Sequence, residues 1–148
     1  MRLHALMKPA PKFRPMEIAD LSAVRELWAK AEGVELSEGD TVEELTRYLE
    51  RNPNMSFVGM LGGEIIGAVL AGHDGRRGFL YHLAVAPDHQ GRGAGRALVG
   101  HAVDALRAAG VVRVLILVRH DNSRGMEFWT KQGWETLEHA GAMGLNLV

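Results

Sequence analysis

The chain contains no cysteine, so disulfides, thiolate metal sites and a covalent cysteinyl intermediate are excluded by composition alone. Long apolar runs are lacking too. The longest, "VVRVLILV" from Val111 to Val118, is interrupted by Arg113 and falls far short of the ~18 residues that cross a bilayer. The N-terminus has no apolar segment of the signal type. Neither sign of charge is in excess: 17 Lys and Arg stand against 18 Asp and Glu, a formal net charge of −1. Bulk attraction to nucleic acid or to an anionic membrane is therefore not expected, and any anion site must be local. These absences point to a cytoplasmic protein with no metal site and with neither nucleic acid nor membrane as a partner. A chain of 148 residues is the size of one domain, 1–148, and folding would bury roughly 68–70% of its unfolded surface. Residues 1–11 read as a loose lead-in.

What is present is clear periodicity. "KFRPM" reads as a short first strand with its proline near the end. Asp20 is placed to cap a helix whose buried stripe is Leu21, Val24, Leu27, Trp28 and Ala31, stopping near Gly33. "TVEE" is a capping box that opens a second helix, Thr41 to about Arg51. Between the two lies an acidic loop with Glu32, Glu35, Glu38 and Asp40, placed to attract a cationic amine. From Met55 the pattern turns to strand: "SFVGML", "EIIGAVLAG" and "FLYHLAVAP", joined by glycine-bearing turns, predict three consecutive antiparallel strands. A helix to about Ala109, closed by Gly110, leads to a buried strand over "VVRVLILV", then to a helix over "DNSRGMEFWTKQ". "WETLEHAGAMGLNLV" reads as a closing pair of strands. The order predicts an α/β (α+β) fold: a mixed, mostly antiparallel twisted sheet of about 7 strands with helices on both faces.

The most specific stretch is "VAPDHQGRGAGRALV", which places Gly91, Gly93 and Gly95 between a strand and a helix, flanked by Arg92 and Arg96. A helix N-terminus offers about four unpaired N–H groups and a partial positive charge. Glycines ahead of it let an anion come close to the backbone. Gln90, Gly91, Arg92, Gly93, Ala94, Gly95 and Arg96 thus form a cradle for phosphate oxygens, with the two guanidinium groups adding charge-assisted contacts. The dinucleotide fingerprint fails at Arg96, where a third glycine belongs, and no G-K-[ST] is present to make a P-loop.

These residues resemble the acetyl-CoA signature of the GCN5-related N-acetyltransferase (GNAT) family. Its core Q-x-x-G-x-G is matched by Gln90, Gly93 and Gly95, and its preceding apolar-Val-x-Pro run by Ala84, Val85 and Pro87. A second element of the family, N-x-x-[AG]-x-x-F-[YW]-x-x-x-G-[FW], is matched by Asn122, Gly125, Phe128, Trp129, Gly133 and Trp134. The resemblance runs from about Lys12 to Val148 and implies the acyl-CoA N-acyltransferase fold. It also implies acetyl-CoA as acetyl donor, its pyrophosphate held by the backbone from Gly91 to Arg96. The pantetheine arm would lie along Leu83, Ala84 and Val85, in a gap where the strands ending near Ala86 and Val118 splay apart. Asn122 would contact that arm.

For catalysis the resemblance implies direct transfer to an amine, with the oxyanion met by the N–H of Leu83 or Val85. The chain departs from the family at two places. Trp129 stands where many members carry a tyrosine acid, and an indole N–H can donate a hydrogen bond or line the thioester but does not release a proton. Leu117 stands where the protein N-terminal acetylating members carry a basic glutamate. Tyr81 and His82 remain as candidates, and strand alternation sends them to opposite faces unless a bulge intervenes. Tyr81 is the preferred one, since aralkylamine-acetylating relatives keep a histidine at that position. The acceptor would be an amine on a small molecule or a protein, and a homodimer would pair through Trp134 and the closing strands. A noncatalytic acyl-CoA sensor is the alternative that these departures leave open.

Overall fold

Alternating apolar residues broken by glycine turns build the centre of the molecule. The computed structural model describes residues 9–148, so most of the expected lead-in lies outside the described residues. Strands β1 (Lys12–Pro15), β2 (Phe57–Leu61), β3 (Glu64–His73) and β4 (Gly78–Val85) form one antiparallel run in chain order. β5 (Val114–Ile116) then joins β4 in parallel, as the intervening crossover helix requires. β3 is buried from Ile66 to Gly72, as befits a central strand covered on both sides.

Helices lie on both faces. α1 (Leu21–Lys30) and α2 (Val42–Arg51) cover one, with Leu21, Val24, Trp28 and Leu45 packed on Val58, Ala68 and Leu70. α3 (Ala94–Ala108) and α4 (Ser123–Lys131) cover the other, where Leu98, Ala102 and Leu106 meet Val69, Ala71 and Leu80. Trp28, Leu21, Leu98 and Leu106 are fully enclosed, each contributing about 1.5–3 kcal/mol by burial. The capping box forms as expected. Thr41 Oγ1 accepts from Glu44 N–H at 3.1 Å, and Glu44 Oε1 accepts from Thr41 N–H at 3.1 Å.

Three local expectations are corrected. Asp20 sits at the start of α1 without capping it by its side chain. Its carboxylate instead takes two bonds from Arg14, at 2.7 and 2.8 Å, and one from Glu17 N–H at 2.8 Å. The Arg14 contact holds the Asp20 carboxyl below the usual aspartate range. The strand expected over Val111 to Val118 shrinks to Val114–Ile116, half-buried throughout, with Val112 and Leu117 exposed. Last, among the described residues the sheet has five strands rather than about 7, because Trp134 to Val148 forms none. A three-residue β5 offers little ladder to a neighbour, and Gly141 and Gly144 make ordering that tail costly. Met143, Leu145 and Leu147 are left exposed there. Among the described residues no helix is long and apolar enough to cross a membrane.

Candidate functional site

β4 carries the site because its regular pairing fails twice. On the β3 side, Leu70 pairs with Tyr81 but Ala68 with Ala84, so that Val69 faces both His82 and Leu83. This is a β-bulge, and its extra residue is His82, at φ +54°. A left-handed conformation costs a non-glycine residue about 1–2 kcal/mol. The bulge changes which way side chains point. Tyr81 and His82 both meet the α1–α2 face: the Tyr81 ring lies 6.4 Å from Tyr48, and the His82 ring 5.0 Å from Trp28. Leu83 and Val85 pack on the α3 side, while Ala84 is buried beneath α1 and α2. The condition attached to the sequence reading, a bulge, is met, and the two candidates share one face.

On the other edge of β4, β5 pairs only with Gly78, Phe79 and Leu80. From Tyr81 to Val85 that edge has no strand partner among the described residues. Tyr81 is half-buried against Phe79 and Tyr48, and burial raises its phenol above the ordinary tyrosine range. It is a hydroxyl that stays protonated. His82 Nε2 lies 3.0 Å from both Oδ1 and Oδ2 of Asp40, which is 7% exposed. Asp40 was not legible as its partner, since the two are 42 positions apart and nothing local links them.

The cradle is built at the far end of β4. A short 3₁₀ turn, Pro87–His89, leads to Gly91 at φ +77° and Gly93 at φ +86°. Gly93 is the N-cap of α3, and among the described residues no side chain caps that end, which leaves the first-turn amides of Ala94, Gly95 and Arg96 without a capping partner. A Cβ on Gly91 or Gly93 would meet nothing within 4 Å, so their surface is open. Arg92 and Arg96 are exposed. The Gln90 side chain turns back, its Nε2 donating to the Val85 carbonyl at 3.0 Å. A cavity of about 930 Å³ opens beside this turn, lined by Leu27, Ala31, Ile65, Val85, Pro87 and Gln90, within the range of small-molecule sites.

The α4 end of the site is fastened to the acidic loop. Asn122 caps α4, its Oδ1 accepting from Gly125 N–H at 2.9 Å. Its amide fits between two glycines: a Cβ on Gly33 would meet Nδ2 at 2.7 Å, and one on Gly125 would collide with the same side chain. Glu35 pairs with Arg119 at 2.9 Å and Glu32 with Arg124 at 4.0 Å. With Asp40 on His82, three of the four loop acids thus meet bases of this chain. Trp129 packs edge-on to Phe128 and Trp134 on the α3 side, so the structure does not bring it onto the face of Tyr81 and His82.

The model of the Acetyltransferase (GNAT) family matches residues 21–134. The chain belongs to this family. An acetyltransferase of Pectobacterium atrosepticum is 34% identical over 119 residues, 80% of this chain and 84% of the relative. One of Sodalis glossinidius is 31% identical over 109 residues, 74% of this chain and 77% of the relative. The fold recurs in the Escherichia coli ribosomal-protein-S18-alanine N-acetyltransferase, with TM-score 0.69, 24% identity and coverage of 83% and 76% of the two chains. It recurs also in a Thermoplasma acidophilum N-acetyltransferase solved with coenzyme A, with TM-score 0.69, 19% identity and coverage of 84% and 89%. The protein is therefore an N-acetyltransferase of the GNAT family, whose acetyl donor is acetyl-CoA.

Proposed function

We propose that the protein transfers an acetyl group from acetyl-CoA directly to a primary amine of a small molecule or a protein, with His82 as general base. The observation that carries this reading is the bulge. It sets a histidine, a side chain that can take up and release a proton, beside a strand edge left open by the loss of β5 pairing.

In this reading the backbone from Gly91 to Arg96 holds the donor's pyrophosphate, with Arg92 and Arg96 alongside. The unpaired edge of Leu83, Ala84 and Val85 receives the pantetheine arm, for which the Gln90 side chain must release the Val85 carbonyl. Asn122 meets the arm from the α4 side. His82 takes the proton of the incoming ammonium, so the amine attacks as a free base. Tyr81, kept neutral by burial, donates a hydrogen bond toward the departing thiolate. Trp129 acts through the aromatic wall that positions α4.

The test is His82→Gln, which keeps polarity and size but cannot serve as a base. The expected result is a fall in kcat of about 10²-fold or more with acetyl-CoA affinity within twofold of wild type, a split read by turnover beside calorimetric titration. Turnover at the wild-type rate would remove His82 from the chemistry.

A further inference from the structure

We infer that Asp40 is a positioning residue that fixes the tautomer of His82, presenting Nδ1 as the basic nitrogen; the inference rests on the reading of His82 given above. A carboxylate only accepts hydrogen bonds. With Nε2 at 3.0 Å from both Asp40 oxygens, the ring proton of neutral His82 resides on Nε2. The lone pair is then on Nδ1, to which nothing among the described residues is hydrogen-bonded. When an ammonium gives up its proton, the N–H bond breaks, an Nδ1–H bond forms, and the resulting imidazolium stands against a carboxylate already in place.

Asp40 is itself held through its carboxylate and its backbone. Asp40 Oδ2 accepts from Ser37 N–H at 3.0 Å, Asp40 N–H donates to Ser37 O at 3.1 Å, and Arg25 Nε donates to Asp40 O at 2.9 Å. The next residue, Thr41, is locked by the capping box of α2. The fully buried Trp28 ring lies edge-on to the imidazole at a centroid distance of 5.0 Å. Such fixing from backbone, neighbour and helix start is what orientation of a base requires. It also assigns the loop between α1 and α2 a part in the chemistry rather than in charge attraction alone.

Asp40→Asn tests this, because Ser37 N–H holds the asparagine oxygen at the Oδ2 position and so sets the amide NH₂ at the Oδ1 position, 3.0 Å from Nε2. The NH₂ group then faces His82 and makes Nε2 the acceptor, which moves the ring proton to Nδ1. The expected outcome is a drop in kcat of roughly 10²–10⁴-fold, with the KM for acetyl-CoA and the melting temperature near wild type. In long-range ¹H–¹⁵N spectra, the His82 signals, assigned by their loss in His82→Gln, switch from the Nε2–H to the Nδ1–H pattern. Turnover within about threefold of wild type would overturn the role of Asp40, and so would a fall in kcat with the tautomer unchanged, since that marks a merely structural effect. His82→Gln separates the two claims. If that variant is fully active, the reading of His82 itself is lost, whereas an impaired His82→Gln beside an active Asp40→Asn defeats Asp40 alone.

Discussion

His82 occupies a backbone conformation that glycine adopts freely and histidine does not, at φ +54°. A sequence tolerating that cost at a bulge is holding a side chain in place, and the imidazole between Asp40 and Trp28 is what the cost obtains. The consequence is measurable without any substrate. His82→Ala and His82→Gly both lose the ring contacts, but only glycine relieves the strain. His82→Gly is expected to be the more stable of the two by about 1 kcal/mol, a melting temperature about 2–4 °C higher at this chain length. Equal stability would mean that the bulge is not strained. Tyr81 and His82 were legible as the candidates left once Trp129 and Leu117 depart from the family pattern, and the bulge was legible only as a condition. A positive φ announces itself in sequence when the residue is glycine, as at Gly91 and Gly93; at a histidine it does not. The partnership with Asp40 was hidden for a related reason, because it arises only once the loop ahead of α2 folds over β4.

Among the elements, the turn from β4 into α3 is the one whose structure was most fully written in the sequence, and the donor's pyrophosphate is its proposed ligand. Three glycines, two arginines and the apolar stripe of α3 specify a helix that starts bare. Gly93→Val separates its two contributions. Valine at φ +86° strains the turn by about 1–2 kcal/mol, which lowers the melting temperature by several degrees. Its branched side chain also stands where the phosphates must approach. Acetyl-CoA affinity is expected to fall at least tenfold in calorimetric titration while the fold persists; unchanged affinity would place the donor elsewhere. The C-terminal elements were less legible. Apolar residues at Met143, Leu145 and Leu147 alternate like a strand, but alternation states only which side faces inward, not whether a neighbouring strand is long enough to pair with. The β5 ladder of three residues is not. The same shortness creates the gap along β4, so the missed strands and the candidate site have one physical origin.

At the scale of the whole molecule, three features meet along β4: a helix start that suits pyrophosphate, an open strand edge that suits an extended amide-bearing arm, and a histidine with its carboxylate. The two sheet faces divide the labour. The α3–α4 side carries the proposed donor cradle and Trp129, and the α1–α2 side carries Tyr81, His82 and Asp40. Membership of the GNAT family fixes the reaction class, and the proposed role of His82 and Asp40 is to give the proton a route. Because the chain has no cysteine, a thiol reagent reads coenzyme A release with no signal from the protein. The most direct measurement is amine-dependent thiol release from saturating acetyl-CoA by the wild-type protein, across small primary amines and peptides with a free N-terminus, with the acetylated amine quantified in parallel. The account predicts that at least one acceptor yields thiol and N-acetyl product in equal amounts. Tight acetyl-CoA binding with no amine-dependent thiol release from any acceptor would contradict it, and would mark the site as a sensor of acyl-CoA rather than a catalyst.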